Sequence, residues 1–270
     1  MANVVRNSHD GQITRADLEK ILQSTFVEQV EFHEAIDSTN DRALVLSREP
    51  SVRAPTLVVA ATQTDGRGRG TNVWWAQQGA LTFSLLIETE AMRLPQRQWP
   101  TASLTTGLAV CEALEEVLEE PALQLKWPND VYLRQRKVCG ILIEVPPQQR
   151  GMIVIGIGIN VNNSARHAPE DLRSSAIAMC DAAECEFSLA QVLERVLVRL
   201  HERLGWIGHR NHELRHRWRE RCLLTGRSVQ LDTGSRNVVG TCHGIDDDGA
   251  LVIETVNETE RCFAGAVTQF

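Results

Sequence analysis

Apolar residues recur at helical spacing in the middle of the chain. The interval is three or four residues at Leu104, Leu108, Cys111, Leu114 and Leu118. Residues at these intervals share one face of a helix, so the sequence predicts an amphipathic helix over residues 102–119. A Thr or Ser with an Asp three positions later is typical of helix starts. This pattern predicts two more helices, over residues 15–22 after Thr14 and over about residues 38–47 from Ser38.

Runs of β-branched and apolar residues predict strands elsewhere. These runs cover residues 56–61, 81–87, 123–127, 131–134, 137–145 and 152–161. One or two helices fill residues 188–221. From Cys222 onward, short strands alternate with turns, which predicts a small all-β module over residues 222–270. This module carries seven acidic and three basic residues, whereas the helix before it is rich in Arg, so the charge changes at the same boundary.

Composition argues against several classes of protein. The 28 Lys and Arg residues face 35 Asp and Glu, a formal net charge of −7, which is unlike a globally basic nucleic-acid binder. No apolar run reaches the about 18 residues that a membrane helix needs, and the first ten residues lack the apolar core of a signal peptide. The seven cysteines form no CxxC pair. We interpret them as reduced thiols and expect a cytoplasmic protein that does not associate with a membrane.

The first candidate for chemistry is the glycine loop, Gly66-Arg67-Gly68-Arg69-Gly70. Glycines let a backbone approach a ligand and direct N–H groups at an anion. The two guanidinium groups can bind carboxylate or phosphate in bidentate fashion. The loop has neither the Walker A spacing nor a Rossmann fingerprint. The alternative interpretation is a flexible surface turn with two solvated arginines.

The second candidate is the segment Lys126-Trp127-Pro128-Asn129-Asp130. Pro128 favours an extended conformation at Trp127, which places the lysine and the Asn-Asp pair at the end of a strand. The structural alternative is an Asx turn into the next strand.

Two further positions lie on predicted strands. Lys137 begins an apolar run in which Gly140 permits close approach, and its alternative role is that of an edge residue whose aliphatic stem is buried. Asn160 ends the run Gly156-Ile157-Gly158-Ile159-Asn160, where it is a candidate for a hydrogen bond with a ligand.

His212 and His216 complete an H-E-x-x-H pattern, which occurs in zinc proteases. Five arginines surround the pattern, and their charge disfavours a divalent cation. We interpret these histidines as part of a solvated helix face and predict no metal site; a zinc hydrolase is the alternative.

Two arginines, two lysines and the glycine loop would hold two anions side by side if they faced one pocket. A carboxylate about 4 Å from a phosphate costs about 4 kcal/mol per charge pair at an effective dielectric constant of 20. Cations offset this repulsion, most of all when the transition state spreads charge over the α-phosphate. Adenylation of a carboxylate by ATP has this requirement, and it needs no side-chain nucleophile because the carboxylate itself attacks.

The order and spacing of these motifs resemble the biotin protein ligase family, over about residues 31–270. The resemblance rests on six segments: Asp37-Ser38-Thr39-Asn40, Gln63-Thr64-Asp65 with the glycine loop and Trp74, Lys126-Trp127-Pro128-Asn129-Asp130, Lys137-Val138-Cys139-Gly140-Ile141-Leu142-Ile143-Glu144, Gly156-Ile157-Gly158-Ile159-Asn160, and Gly244-Ile245-Asp246-Asp247-Asp248-Gly249-Ala250-Leu251.

The resemblance implies an α+β fold. Residues 31–221 would form a class II synthetase-like catalytic domain, a mixed β-sheet with flanking helices, and residues 222–270 an SH3-like β-barrel. Residues 1–30 would be an extension with one short helix. The implied reaction uses biotin as substrate and ATP with Mg²⁺ as co-substrate, without a tightly bound cofactor. Biotinyl-5′-AMP forms first, and a lysine of a biotin carboxyl carrier protein domain then takes the biotin.

The resemblance also assigns residues by motif. The implied biotin site comprises Ser38, Thr39, Asn40, Gln63, Gly66, Arg67, Gly68, Arg69, Lys137 and Gly140. The implied ATP site comprises Arg67, Arg69, Trp74, Lys126, Asn129, Asp130, Lys137 and Asn160. Among these, Lys137, Arg67 and Arg69 would be catalytic, and Asp130 is a candidate for binding Mg²⁺ or orienting Lys137.

Two departures from the family change the expectations. Many bacterial members carry another arginine where this chain has Gly70. Bifunctional members begin with a DNA-binding module of roughly 60 residues, which the short N-terminal extension does not match, so we expect a monofunctional ligase without operator binding. A lipoate ligase or octanoyltransferase and a non-catalytic biotin or nucleotide sensor stay open as alternatives, and so does a homodimer.

Overall fold

The computed structural model describes residues 12–92, 94, 98–119, 123–149 and 151–270. The helix predicted from the first capping pattern is confirmed as α1 (Arg15–Ser24). The Thr14 side chain accepts a hydrogen bond from the backbone N–H of Asp17, whose carboxylate accepts from the backbone N–H of Thr14 at 2.9 Å. Residues 1–11 of the predicted extension lie outside the described ranges.

A seven-stranded mixed sheet forms the larger layer. Its strands follow the order β1-β2-β3-β7-β6-β5-β4, and β1 and β2 are parallel whereas all other neighbours are antiparallel. The bounds are β1 (Gln29–Ile36), β2 (Thr56–Gln63), β3 (Ala80–Glu88), β4 (Leu123–Lys126), β5 (Asp130–Leu133), β6 (Arg136–Glu144) and β7 (Met152–Asn160).

In the part of the chain that the structure describes, six further helices and one short 3-10 helix accompany this sheet. The bounds are α2 (Thr39–Leu46), α3 (Trp99–Leu118), the 3-10 helix (Ala165–His167), α4 (Glu170–Arg173), α5 (Met179–Ala183), α6 (Leu189–Leu204) and α7 (Asn211–Glu220). The mixed sheet with flanking helices agrees with the fold class expected from the sequence.

One face of the sheet is the main hydrophobic core. Alternate strand residues such as Phe83, Ile157 and Ile141 point to this side, where they join the same buried cluster as Leu108 of α3 and Val196 of α6. Fully burying such a side chain contributes about 1.5–3 kcal/mol. The helical spacing around Leu108 therefore reflects packing against the sheet.

The opposite face is built differently at its centre. Strand residues one position away from the core face are small here: Thr82 and Ser84 on β3 pair with Gly158 and Gly156 on β7, and Gly158 pairs with Gly140 on β6. Further along the same face, α2 packs its buried Ala43 and Leu46 against apolar residues of β2, β3 and β7. The small residues leave space on the sheet next to the N-terminus of α2.

The C-terminal residues form a second, five-stranded sheet that is antiparallel throughout. Its order is β11-β10-β9-β8-β12, with β8 (Ser228–Asp232), β9 (Asn237–Ile245), β10 (Leu251–Glu254), β11 (Thr259–Cys262) and β12 (Ala266–Gln269). Trp127 Nε1 donates to the carbonyl of Gly249 at 3.2 Å and ties this sheet to the larger one. Closure of the second sheet into a barrel stays a prediction.

Candidate functional site

The small-residue face of the large sheet borders a cavity of about 570 Å³. The glycine loop, the β4–β5 connection and β12 complete its wall. The lining includes these positions from the sequence prediction: Ser38, Thr39, Asn40, Gln63, Arg67, Gly68, Arg69, Trp74, Lys126, Asn129, Asp130, Lys137 and Gly140. Two arginines and two lysines that are far apart in the sequence thus face one space.

The glycine loop is folded back on itself by backbone hydrogen bonds. The N–H of Trp74 donates to the carbonyl of Gly66 at 2.8 Å, and the N–H of Gly68 donates to that of Asn72 at 2.7 Å. A Cβ on Gly66 would lie 2.4 Å from the Trp74 carbonyl oxygen, so this position requires glycine. Gly70 has φ +67°, a conformation that an arginine would adopt only with strain.

Arg67 is held by two carboxylates. Its Nη1 and Nη2 donate to the two oxygens of Glu144 at 3.1 and 2.6 Å, and Nη2 also lies 2.7 Å from Asp41. Burial is the largest single influence on the pKa of Arg67 and lowers it, but the two carboxylates together raise that pKa above its ordinary value. The guanidinium is therefore a fixed charge with a fixed orientation.

Arg69 reaches the C-terminal sheet instead of a carboxylate. Its Nη2 donates to the backbone carbonyl of Gly265, in the turn before β12. Burial lowers the pKa of Arg69, with partial compensation by the charge of Asp130. An arginine nonetheless stays charged at neutral pH, so the loop carries a half-buried cation that forms no ion pair with a carboxylate of the described residues.

The two lysines differ in their surroundings. Lys137 Nζ lies 2.7 Å from Asp130 Oδ1 and 5.9 Å from the centre of the Trp74 ring. Lys126 Nζ donates to the carbonyl of Val267 at 3.2 Å and lies over the Phe270 ring at 4.4 Å. Burial lowers the pKa of Lys126; the charge of Asp130 opposes this shift and that of Lys137 adds to it.

A chain of hydrogen bonds forms the wall at the N-terminus of α2. Gln63 Oε1 accepts from the backbone N–H and the hydroxyl of Thr39 at 2.7 and 3.0 Å. The hydroxyl of Ser84 lies 2.8 Å from that of Thr39 and 2.5 Å from Asn40 Oδ1. Asn40 Nδ2 donates to the Leu142 carbonyl and to Glu144, so both hydrogens of the Asn40 amide are used inside the protein.

Four buried polar atoms of residues that line the cavity have no hydrogen-bond partner among the described residues. They are Arg67 Nε, Trp74 Nε1, Thr82 Oγ1 and Asp130 Oδ1, the last of which forms the ion pair with Lys137. Buried polar groups without partners are costly and rare in native proteins. Each of these atoms is covered by the protein itself, and Trp74 Nε1 faces the main chain of Gly158.

The glycine of β7 at position 158 decides where the Trp74 ring lies. A Cβ on Gly158 would be 2.2 Å from Trp74 Cε2. We expect Gly158→Ala to displace the ring and to weaken binding of the cavity's ligand by about 1–3 kcal/mol, the usual cost of overpacking. Calorimetric titration measures this effect. Gly151→Ala is the matched control, because a Cβ there meets nothing within 4 Å; equal affinities for the two variants would contradict the prediction.

Two positions assigned by motif do not line the cavity. Gly66 lies behind the cavity wall, where its lack of a side chain allows the glycine loop to turn. Asn160 is buried at the end of β7, and its Oδ1 accepts from Asn163 Nδ2 at 2.9 Å. Asn129 does line the cavity, and its Nδ2 donates to the carbonyl of Ile141 at 2.7 Å.

Sequence reasoning missed several residues of the site. Asp41 and Glu144 bind Arg67, Ser84 joins the wall, and Ala266 and Val267 of β12 contribute to the lining. Glu144 lies in a quoted motif, but nothing in the sequence pairs it with an arginine 77 residues away. The capping position of Asp41 was the one visible signal, and it indicated only that this residue lies in the first turn of α2.

The histidines of the H-E-x-x-H pattern lie on α7, outside the cavity. His212 and His216 are both exposed. Within the described ranges, no group of three His, Cys, Asp or Glu side chains is arranged to hold a metal ion. The described part of the chain also has no helix that combines the length and the apolar character needed to cross a membrane.

Comparisons with known proteins agree with this arrangement. The model of the Biotin/lipoate A/B protein ligase family matches residues 32–160, and that of the Biotin protein ligase C terminal domain matches residues 225–266. The chain is 29% identical to the Bifunctional ligase/repressor BirA of Bacillus subtilis over 240 residues, which are 87% of this chain and 72% of the relative.

Two other proteins are similar to this chain to a comparable degree. The Biotin--[acetyl-CoA-carboxylase] ligase of Mycobacterium tuberculosis is 32% identical over 214 residues, covering 78% of this chain and 77% of the relative. The solved structure of the biotin protein ligase from Aquifex aeolicus in complex with biotin and ATP superposes with a TM-score of 0.78 at 31% identity, covering 89% of this chain and 98% of that one.

Proposed function

Because the chain belongs to the biotin protein ligase family, we propose that its cavity is the place where biotin and ATP react. The protein is an ATP-dependent ligase that adenylates biotin and transfers it to a lysine of a biotin carboxyl carrier protein domain. The proposed place of the reaction rests on one observation: two arginines and two lysines line the same cavity of about 570 Å³.

The reaction has two steps. In the first, a carboxylate oxygen of biotin attacks the α-phosphorus of ATP; the bond to the bridging oxygen breaks, and pyrophosphate leaves. In the second, the unprotonated amine of the acceptor lysine attacks the acyl carbon of biotinyl-5′-AMP, the bond to AMP breaks, and the nitrogen loses a proton as the amide forms. Both steps place negative charge next to the cations of the cavity, which is where such charge is stabilised.

The residue roles follow from these charges. Arg67, Arg69 and Lys137 would neutralise the carboxylate and the α-phosphate. Ser38, Thr39 and Gln63 would face the ureido ring of biotin, with Gly68 and Gly140 in contact with the substrate. Asn40 would support this wall without binding biotin directly, because its amide hydrogens already have acceptors.

The nucleotide would occupy the side of the cavity near the C-terminal sheet. There the candidate contacts are Trp74, Lys126, Asn129 and Asp130. We omit Asn160 because it does not line the cavity. Magnesium would enter with ATP as part of the co-substrate, since Mg²⁺ is usually held by phosphate oxygens, water and one or two carboxylates. Asp130 is a carboxylate that lines the cavity.

The remaining assignments are proposals of the same kind. We place the border between the catalytic domain and the C-terminal domain near Cys222, six residues before β8 begins. A cytoplasmic location, the absence of operator binding and a homodimer also stay predictions.

Biotin-dependent exchange of labelled pyrophosphate into ATP tests the first step. We expect exchange with biotin and none with lipoate, because the motifs around Lys126 and Lys137 resemble those of biotin ligases. Transfer is tested by AMP release and by the mass of a purified carrier domain, with a carrier whose acceptor lysine is replaced by arginine as control. Exchange with lipoate alone would support the lipoate alternative, and binding of biotin without exchange would support the sensor alternative.

A further inference from the structure

Glu144, the last residue of β6, is the point where two parts of the cavity wall meet. Its carboxylate accepts from Nη1 and Nη2 of Arg67 at 3.1 and 2.6 Å, and its Oε2 also accepts from Asn40 Nδ2 at 2.8 Å. One carboxylate thereby joins the glycine loop to the N-terminus of α2.

The chemistry of these three hydrogen bonds requires an anion. All partners of Glu144 are donors, and an ionised carboxylate is an acceptor at both oxygens. A glutamine at this position would present its NH₂ group to Arg67 in either orientation, and in one of the two orientations to Asn40 as well, so donors would face each other. Charge-assisted bidentate pairs are also about twice as strong as neutral ones and fix the guanidinium plane.

The geometry of Arg67 shows how this pairing constrains the guanidinium. Glu144 engages both terminal nitrogens, and the buried Nε–H has no hydrogen-bond partner within the described ranges. The second carboxylate, Asp41, contacts only Nη2, and its side chain is 51% exposed against 24% for Glu144. Glu144 is therefore the stronger constraint on the direction of the guanidinium.

Glu144 also orients the Asn40 amide. Because Nδ2 faces Glu144, Oδ1 faces the hydroxyl of Ser84. The amide cannot move away from this position toward the strand, because Gly156 lies directly beneath it; a Cβ there would be 2.1 Å from Asn40 Oδ1. Asn40 Nδ2 also donates to the Leu142 carbonyl at 3.3 Å, so Glu144 provides the shorter of the two hydrogen bonds that orient this amide.

On the basis of the proposed function, we propose that Glu144 is a positioning residue for adenylation. It holds the Arg67 guanidinium in the orientation that meets the reacting carboxylate, and it couples that orientation to the Asn40–Ser84 wall of the biotin site. It does not touch the reacting atoms.

The test compares Glu144→Gln with Glu144→Asp in biotin-dependent pyrophosphate exchange. We expect Glu144→Gln to lower kcat about 100-fold, the effect of misplacing a reacting group, while biotin affinity measured by calorimetry falls less than tenfold. Glu144→Asp keeps the charge and should recover most of the lost kcat. Glu88→Gln, which changes an exposed carboxylate at the end of β3, should behave as the unchanged enzyme.

A double-mutant cycle with Arg67→Ala separates positioning from general stability. If Glu144 acts through Arg67, Glu144→Gln should lower kcat less than threefold in the Arg67→Ala background. Multiplicative losses in the cycle, or an equal fall of kcat for Glu144→Gln and Glu144→Asp with lowered melting temperatures, would overturn the inference. Absence of exchange in the unchanged protein would overturn the proposed function as well, so the two failures can be told apart.

Discussion

Replacing Lys137 with Ala should lower the rate of biotin adenylation about 100- to 1,000-fold, the effect of removing one preorganised group that stabilises transition-state charge. The ammonium lines the cavity beside Asp130, so its loss leaves a carboxylate next to the two reacting anions. The affinity for biotin should change much less, because the charge matters most when the α-phosphate reacts. Single-turnover kinetics and calorimetry measure the two quantities separately.

The matched control for Lys137 is Lys20→Ala, which removes a surface ammonium that is paired with Glu194 on α6. This variant should adenylate biotin at the unchanged rate. The role assigned to Lys137 is wrong if the Lys137→Ala enzyme loses biotin binding but still converts bound biotin at the normal rate.

The Arg69→Gly variant should release biotinyl-5′-AMP before biotin is transferred to the carrier domain. The guanidinium is half-buried and bonds to the Gly265 carbonyl of the C-terminal sheet, so its loss detaches the glycine loop from that sheet. Losing such a contact costs about 2 kcal/mol or more, which corresponds to an about 30-fold faster release of the intermediate. The free mixed anhydride would then modify lysines of bystander proteins. Filter retention of labelled intermediate and labelling of added serum albumin measure both effects.

Arg53→Gly is the control for the loop variant, because Arg53 is an exposed arginine in the turn before β2. It should retain the intermediate and label only the carrier domain. If Arg69→Gly labels bystander proteins no more than this control does, the glycine loop does not retain the intermediate.

The elements with strong sequence periodicity were predictable. The apolar spacing around Leu108 predicts α3, and continuous apolar runs predict β2, β3, β6 and β7, because these strands are buried on both faces or lie at the sheet centre. The edge strand β1 (Gln29–Ile36) was missed. Its residues are half-buried and mix apolar with charged side chains, so no apolar run marks it. Helices α4 and α5 have four and five residues, which is too short for a helical period to be visible.

The sequence predicts the cationic residues of the site, but it does not predict the residues that these cations contact. Lys126 and Lys137 lie in motifs whose chemistry is local, and the structure brings both to the cavity. The contact of Arg69 with Gly265 joins residues 196 positions apart, and the pairing of Arg67 with Glu144 depends on how β6 ends beside the glycine loop. Such contacts are set by the tertiary fold, so a single sequence carries no direct signal of them.

The row of glycines on β6 and β7 has a consequence for ligand selectivity. Main chain has no rotamers, so a surface made by Gly140, Gly156 and Gly158 cannot adjust to a bulkier ring by moving side chains. The Trp74 indole lies directly on Gly140 and Gly158, and the Asn40 amide lies on Gly156, so the space left for a ligand ring is set by these two side chains.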